Sequence, residues 1–264
     1  MPRILIDPGA VQDRAITVTD PATVHHLLDV LRVAEGERVE CVDGAGRWYA
    51  ARVAHRSKRQ LRLAIVDQGE EPPSALAVRL MPALIKPERF DWLVQKAAEL
   101  GADRISPIVT ARGLVRLPSD RVAVRVSRWR RIAAEAVQQC GRATAPAIDS
   151  PVTFQEAVSL LGSGLRATAA SPPERSSPEP RAPSLLLLPT LAAATVPLRE
   201  ALSRRPDMSS AAVLIGPEGD FTAEEVALAQ RYGAVPVSLG RRTLRSETAA
   251  VAVLAVLQHA AGEL

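Results

Sequence analysis

The chain reads as an α/β protein: a mainly parallel sheet with helices on its faces, preceded by a small antiparallel β-barrel. Three observations predict this. From residue 74 onward short apolar runs alternate with helical patterns, as strand-helix-strand units require. Two of those runs, Ala211 to Ile215 and Ala234 to Leu239, end in glycine-bearing turns that open helices, and an open α/β sheet binds its ligand at such turns. Before residue 70 the pattern is one short helix, a hairpin and a third alternating strand.

Length and charge bound the function. At 264 residues the chain is long enough for two cores, one of them small. It shows no charged-then-apolar leader after Met1 and no apolar run near twenty residues, so a cytoplasmic protein without a membrane segment is expected. Cys41 and Cys140 have no Cys or His neighbour at ligand spacing and read as small core residues, which predicts neither a disulfide nor a bound metal. Net charge is only +4 but unevenly spread: Arg47 to Val66 carries six basic residues and no acidic one, and Arg112 to Arg131 carries seven against Asp120. Arginine clusters suit a phosphate backbone. They also fit a chain whose 33 basic residues include only three lysines, where arginine occupies any solvated face.

Taken in order, Asp20-Pro21 supplies an N-cap and a first-turn proline for a short helix whose apolar stripe is Val24, Leu27, Leu28 and Leu31. His25 and His26 are adjacent, cannot share a helix face as metal ligands, and read as surface or boundary residues. Val39 to Val42, the turn Asp43-Gly44-Ala45-Gly46 and Trp48 to Ala54 form the hairpin, and Leu61, Leu63 and Ile65 mark the third strand. The outward strand faces would display Arg52, Arg56, Lys58, Arg59 and Arg62. Trp48 and Tyr49 read chiefly as core, with stacking on an unpaired base as the other role open to them. Gly69-Glu70-Glu71-Pro72-Pro73 is the boundary, giving a first domain over 1–70 and a second over 74–264.

In the second domain Leu76 to Ile85 is a buried-type strand, Glu88 to Leu100 a helix closed by Gly101, and Arg104 to Val109 the next strand. A longer helix runs from Arg121 to Cys140 and ends at Gly141, with Val122, Val126, Trp129 and Ala133 on one face. Lys96 and Glu99, three apart on the earlier helix, read as a surface ion pair. Residues 171–184 hold five prolines and four serines, cannot bury enough apolar surface to order, and read as a mobile surface loop. Leu185 to Leu188 is then a short buried strand, and Ala223 to Tyr232 and Glu247 to Ala260 are the closing helices.

The two turns carry the candidate site. In Gly216-Pro217-Glu218-Gly219-Asp220-Phe221 the glycines keep side chains away from a bound molecule, and Pro217 stiffens the gap between them. Thr222 and Glu225 form a capping box ahead of Val226. In Leu239-Gly240-Arg241-Arg242-Thr243-Leu244-Arg245-Ser246-Glu247-Thr248-Ala249, Gly240 ends a strand, Ser246 stands at the N-cap position and Glu247 lies in the first helical turn. One at a time these residues fit ordinary turns and caps. As a string, Gly-Pro-Glu-Gly-x-Phe followed about twenty residues later by Leu-Gly-x-x-x-Leu-Arg-x-Glu-Thr-Ala resembles the RsmE family of 16S ribosomal RNA uridine-N3 methyltransferases, members of the SPOUT class.

The resemblance extends to Lys86, Gln95-Lys96, Glu99-Leu100-Gly101 and Ile105-x-Pro107, and to the helix from Arg128 to Arg142. More loosely, His26 through Arg32 and the Gly44 turn look like the family's PUA-like RNA-binding domain. The resemblance implies a SPOUT-type trefoil-knotted domain, a homodimer, S-adenosyl-L-methionine as cofactor without a metal, and 16S rRNA or the small ribosomal subunit as partner. It implies cofactor contacts at Leu188, Pro189, Gly216, Pro217, Glu218, Gly219, Leu239, Gly240, Leu244, Arg245, Thr248 and Ala249. It implies RNA contacts at Arg32, Arg52, Arg59, Lys86, Gln95, Lys96, Arg128, Gln139 and Arg142. The chain departs from the family pattern at Asp220, where a second glycine is usual, at Gly113, where a serine is, and at Gln138, where a glutamate is common.

Methylation of uracil at N3 requires an activated methyl group and loss of the imide proton before or during attack. A cation near O2 or O4 stabilises the resulting anion, and a carboxylate takes the proton. Arg245 is the expected cation, with Glu247 or Glu218 as the base or as the group holding that arginine. Two other readings stay open: a SPOUT ribose 2′-O-methyltransferase acting on another RNA, and a non-catalytic RNA-binding ribosome-assembly factor. A phosphate-binding loop suits the motif poorly, because Pro217 removes an amide donor and Glu218 repels phosphate.

Overall fold

Six short segments with alternating apolar residues form the first sheet: β1 (Arg3–Leu5), β2 (Val11–Gln12), β3 (Ala15–Val18), β4 (Arg38–Val42), β5 (Arg47–Arg56) and β6 (Leu61–Glu70). The computed structural model describes residues 1–167, 183–191 and 194–264, with the side chains of 162–167 left aside. The segment read as a mobile loop, 171–184, lies outside the described residues except for Pro183 and Ser184. The first sheet has the order β1-β4-β5-β6-β3-β2 and is antiparallel except where β1 runs alongside β4. The ladder does not join β1 to β2, so the predicted barrel is open along one seam. Two bulges between β5 and β6 supply local curvature.

Local chemistry fixes these elements. Asp43 closes the hairpin by accepting from the backbone of Ala45 and Arg47 at 2.8 and 3.0 Å. Inward residues, among them Val39, Cys41, Ala51, Leu61 and Leu63, form one apolar cluster. Tyr49 belongs to that cluster, and Trp48 lies across Gly69, where a Cβ would come within 2.6 Å of the indole. Burial pushes the Cys41 thiol up to about 12, with Glu40 adding to the effect. Cys140 is exposed, against the expectation of a core residue, because it ends its helix on the outward side; both cysteines are free.

Asp20 caps α1 (Pro21–His25), accepting from the Thr23 amide and hydroxyl at 2.8 and 2.7 Å. Those bonds, the hydroxyl's first, hold the Asp20 carboxyl below its ordinary value. A π turn over His26–Val30 follows and widens the helix, so the predicted stripe ends early: Val24 and Leu27 are buried, whereas Leu31 is 42% exposed.

The second sheet uses β7 (Ala77–Pro82), β8 (Arg104–Ile105), β10 (Ala147–Ile148), β12 (Leu185–Pro189), β13 (Val196–Pro197), β14 (Ser210–Ile215) and β15 (Val235–Ser238). All pairs are parallel, in the order β10-β8-β7-β14-β12-β15-β13. The strand predicted over Arg104 to Val109 is two, since β9 (Ile108–Val109) leaves the sheet after Ser106-Pro107 to pair with β11 (Val152–Thr153). A proline without an amide donor suits that break.

Strand alternation sends Leu186, Leu188, Ala212 and Leu214 to a cluster shared with Phe154 and Val158 of α4 (Phe154–Ala167) and Val226 of α6 (Ala223–Arg231). On β7 and β14 also packs α7 (Ser246–Ala260), and α2 (Pro87–Glu99) packs against α7; α3 (Ser119–Cys140) and α5 (Leu198–Ser203) complete the set. From β12 the chain goes to β13 at the sheet edge, returns past β12 to β14 on its other side and then crosses to β15, so strand order reverses around β12.

By their contacts the described residues divide into two units, Met1–Pro73 with Ala133–Ala145, and Ser74–Ile132 with Pro146–Leu264. The last turns of α3 thus belong with the first unit, where Gln138 donates to the Arg3 carbonyl and Thr144 to Glu71, both at 2.7 Å.

Candidate functional site

Three adjacent strands, β14, β12 and β15, end side by side, and the segments that leave them enclose a cleft of about 230 Å³. Such a crevice at the carboxyl ends of strands, where their order reverses, is the usual ligand position in an open α/β sheet. Of the residues expected there, Pro189, Gly216, Pro217, Glu218, Leu239, Leu244, Arg245 and Ala249 line it. Leu188 lies in the core beneath, and Gly219, Gly240 and Thr248 fall outside the lining. Gly240 has φ +111°, a conformation that side-chain-bearing residues avoid, so its role there is to turn the backbone.

The sequence reading missed Thr190, Leu191, Ile215, Asp220, Arg242 and Thr243 as lining residues. Ser246 is not the N-cap: α7 begins at Ser246, and Arg245 holds the cap position without a side-chain cap bond. The capping box is as expected, with Thr222 and Glu225 each bonding the other's backbone. Glu225 has a second role, since its other oxygen accepts from Ala111 at 2.8 Å.

Asp220, where the resemblance would place a glycine, has φ +59°, which explains the preference for glycine at that point. Its carboxylate accepts from the Thr190 hydroxyl and Leu191 amide at 2.9 and 2.7 Å and from Phe221 at 2.8 Å, fastening the end of β12 to the 216–221 turn. Arg112 secures the same turn from outside by donating to the Gly219 and Phe221 carbonyls at 3.1 and 3.2 Å. Nearby, the Glu224 carboxyl is held below its ordinary value, first by its own backbone amide, then by the Thr222 hydroxyl and the Arg112 charge. Asp220→Ala loses three accepted bonds and leaves an unfavourable φ, so urea unfolding should show a loss of about 1–3 kcal/mol. Asp220→Gly should recover roughly 1 kcal/mol of it through the backbone alone.

The two candidate carboxylates meet on a residue that no sequence signal marked. Arg89, in the first turn of α2, stands 3.3 Å from Glu218 and 3.8 Å from Glu247. The arginine these carboxylates hold is therefore Arg89 and not Arg245. Glu247 is 9% exposed, and its second oxygen is buried without a partner among the described residues. Arg245 lines the cleft, and its side chain makes no hydrogen bond or ion pair with any described residue, leaving its guanidinium available. Glu247 is not among the cleft's lining residues; it stands two positions along the chain from Arg245, and a carboxylate with a spare oxygen and an unspent cation are the groups that can move a proton and stabilise an anion.

The residues expected to meet RNA are dispersed. In the first unit Arg32 is exposed with φ +55°, Arg59 and Gln139 are exposed, Arg142 is half-buried, and Arg52 donates to the Gly36 carbonyl at 2.8 Å. In the second unit Lys86 is exposed before α2, Gln95 is half-buried, Lys96 is paired with Glu99 at 2.7 Å as expected, and Arg128 binds Asp91 at 2.8 Å. Lys86 and Gln95 lie about 13 Å apart along α2, so one small site does not gather both.

A cleft at the switch point of a parallel α/β sheet marks a protein that binds a small ligand at the carboxyl ends of its strands. A family model described as an RNA methyltransferase domain matches residues 72–258, and one described as an RNA methyltransferase PUA domain matches 18–66. The ribosomal RNA small subunit methyltransferase E of Synechocystis is 31% identical over 257 residues, covering 96% of this chain and 76% of its own. A putative methyltransferase from Legionella pneumophila, solved with bound SAM, has 31% identity and TM-score 0.77 and covers 98% of this chain and 97% of its own. The ribosomal RNA small subunit methyltransferase E of Neisseria gonorrhoeae, solved bound to S-adenosyl methionine, has 28% identity and TM-score 0.78 with the same coverage. The chain belongs to the ribosomal RNA small subunit methyltransferase E family, and its mainly parallel domain with a PUA-like unit ahead of it is that family's fold.

Proposed function

We propose that the protein transfers a methyl group from S-adenosyl-L-methionine to N3 of one uridine in the 16S rRNA of the small ribosomal subunit. The observation that carries this reading is Arg245, a cation in the cleft whose side chain is unpaired among the described residues, next in sequence to the helix whose Glu247 keeps a buried oxygen unspent. The names and bound ligands of the relatives support it.

The cleft suits the cofactor. Ile215, Leu239, Leu244 and Ala249 give it apolar walls, Gly216 and Pro217 present backbone with little side chain, and a buried adenine needs such a slot with a few polar groups. S-adenosyl-L-methionine supplies the electrophilic methyl when bound, and methyl transfer from a sulfonium needs no metal. Arg245 then faces the developing charge on the uracil oxygens, and Glu247, held by Arg89, takes the N3 proton; exposed Glu218 shares that arginine.

In this reading residues 1–70 form the RNA-binding module, with Arg52 and Arg62 on exposed strand positions and Lys58 and Arg59 in the β5–β6 turn instead of on a strand face as expected, and 74–264 the methyltransferase domain with the trefoil threading of its class. Two copies pair through α2 and α7, where Trp92 and Val256 are 42% and 41% exposed. No described helix is long and apolar enough to cross a membrane, and the substrate places the enzyme in the cytoplasm.

Mass-spectrometric mapping of 16S rRNA from a deletion strain tests the reading. One uridine should lose a methyl group on N3 and regain it on complementation. Loss of a ribose 2′-O-methyl instead would make the protein a ribose methyltransferase, and an unchanged rRNA would favour an assembly factor.

A further inference from the structure

Beside the methyl-transfer cleft, the second unit carries a larger groove of about 670 Å³, framed by the first turns of α2, residues 115–118 and the first half of α3. Its floor is apolar: Phe90 and Trp129 are buried there with ring centroids 4.5 Å apart, and Leu84 is buried beside them. Its rim is basic, with Arg116, Arg121, Arg125 and Arg128 against Glu88 and Asp91. Asp91 is taken by Arg128 at 2.8 Å, and Arg121 makes only an exposed 3.6 Å pair with Asp120, so positive charge is in surplus.

Two polar groups of the wall are unspent. The indole N–H of Trp129, a residue 2% exposed, and one Asp91 oxygen are buried without partners among the described residues. Buried polar groups left unpaired carry a cost that a bound polar edge can offset. The groove also adjoins the reaction site in the chain, because Arg89, which reaches Glu218 and Glu247, stands between the lining residues Glu88 and Phe90.

We infer that this groove is a nucleotide subsite. It receives one unstacked base of the RNA strand next to the methylated uridine, with the adjoining phosphate on Arg121 and Arg125. Sequence-reading proteins take single-stranded RNA in this way, on apolar or aromatic walls with cations along the backbone. The volume lies within the roughly 300–1,000 Å³ of small-molecule sites. An acidic peptide would meet the same arginines, but continuity with the methyl-transfer site favours RNA. The inference rests on the function proposed above.

Two variants test it: Arg125→Glu, which reverses a rim charge, and Val124→Trp, which fills the groove from a wall position 66% exposed without changing charge. Small subunits from a strain lacking the enzyme serve as probe, in filter binding and in methylation assays. Each variant should weaken subunit binding about tenfold and raise KM to match, with kcat and cofactor affinity unchanged. Normal binding by Val124→Trp would overturn the subsite, since the arginines would then act at a distance alone. A fall to a smaller sedimenting species would also overturn it, assigning the groove to a second copy of the chain. If the wild type transferred no methyl while both variants still lost binding, the groove would stand and the proposed reaction would fall.

Discussion

Arg245→Ala is expected to lower kcat for small-subunit methylation by about 10²–10³-fold, the loss typical of removing one group aimed at developing negative charge. Cofactor affinity measured by calorimetry should change little, because the apolar walls and turned backbone of the cleft remain. The residue is exposed and its side chain bonds no described residue, so unfolding free energy should stay within about 0.5 kcal/mol of the parent. Equal losses in catalysis and cofactor binding would make Arg245 part of the cleft wall. Arg245→Lys keeps the charge without the planar fork and should recover only part of the rate.

The second large effect belongs to Arg89. Arg89→Ala removes the cation shared by Glu218 and Glu247, leaving the more buried Glu247 without its counter-charge. We expect kcat to fall about 10–100-fold through misplacement of the base. Arg89→Lys keeps the charge without the planar fork and should restore part of kcat. Arg89 is a third exposed, so the stability cost should be about 1–2 kcal/mol, below that of a fully buried pair. An unchanged kcat in Arg89→Ala would exclude a positioning role.

What the sequence made legible is what depends on near neighbours. The Asp20 cap, the Thr222–Glu225 box, the Lys96–Glu99 pair and both glycine-bearing turns span a few residues each, and all stand in the structure. Arg89 and Arg112 were illegible because their partners lie 129 and 107 residues further along. Asp220 could be seen as a departure from the family glycine, but its left-handed backbone and its hold on Thr190 depend on two loops meeting. The break between β8 and β9 was masked by an unbroken apolar run, although Pro107 marked the place. The π turn left no composition signal, since the residues after His25 keep a helical apolar spacing that only its wider winding upsets.

The split membership of α3 governs the order in which this protein can be finished during synthesis. Residues 1–73 emerge first, yet their unit also needs Ala133–Ala145, where Gln138 and Thr144 find Arg3 and Glu71. The leading module must wait, incomplete, while the ribosome adds α2 and most of α3. For the same reason a protease cutting at Pro72-Pro73 would release a fragment missing part of itself.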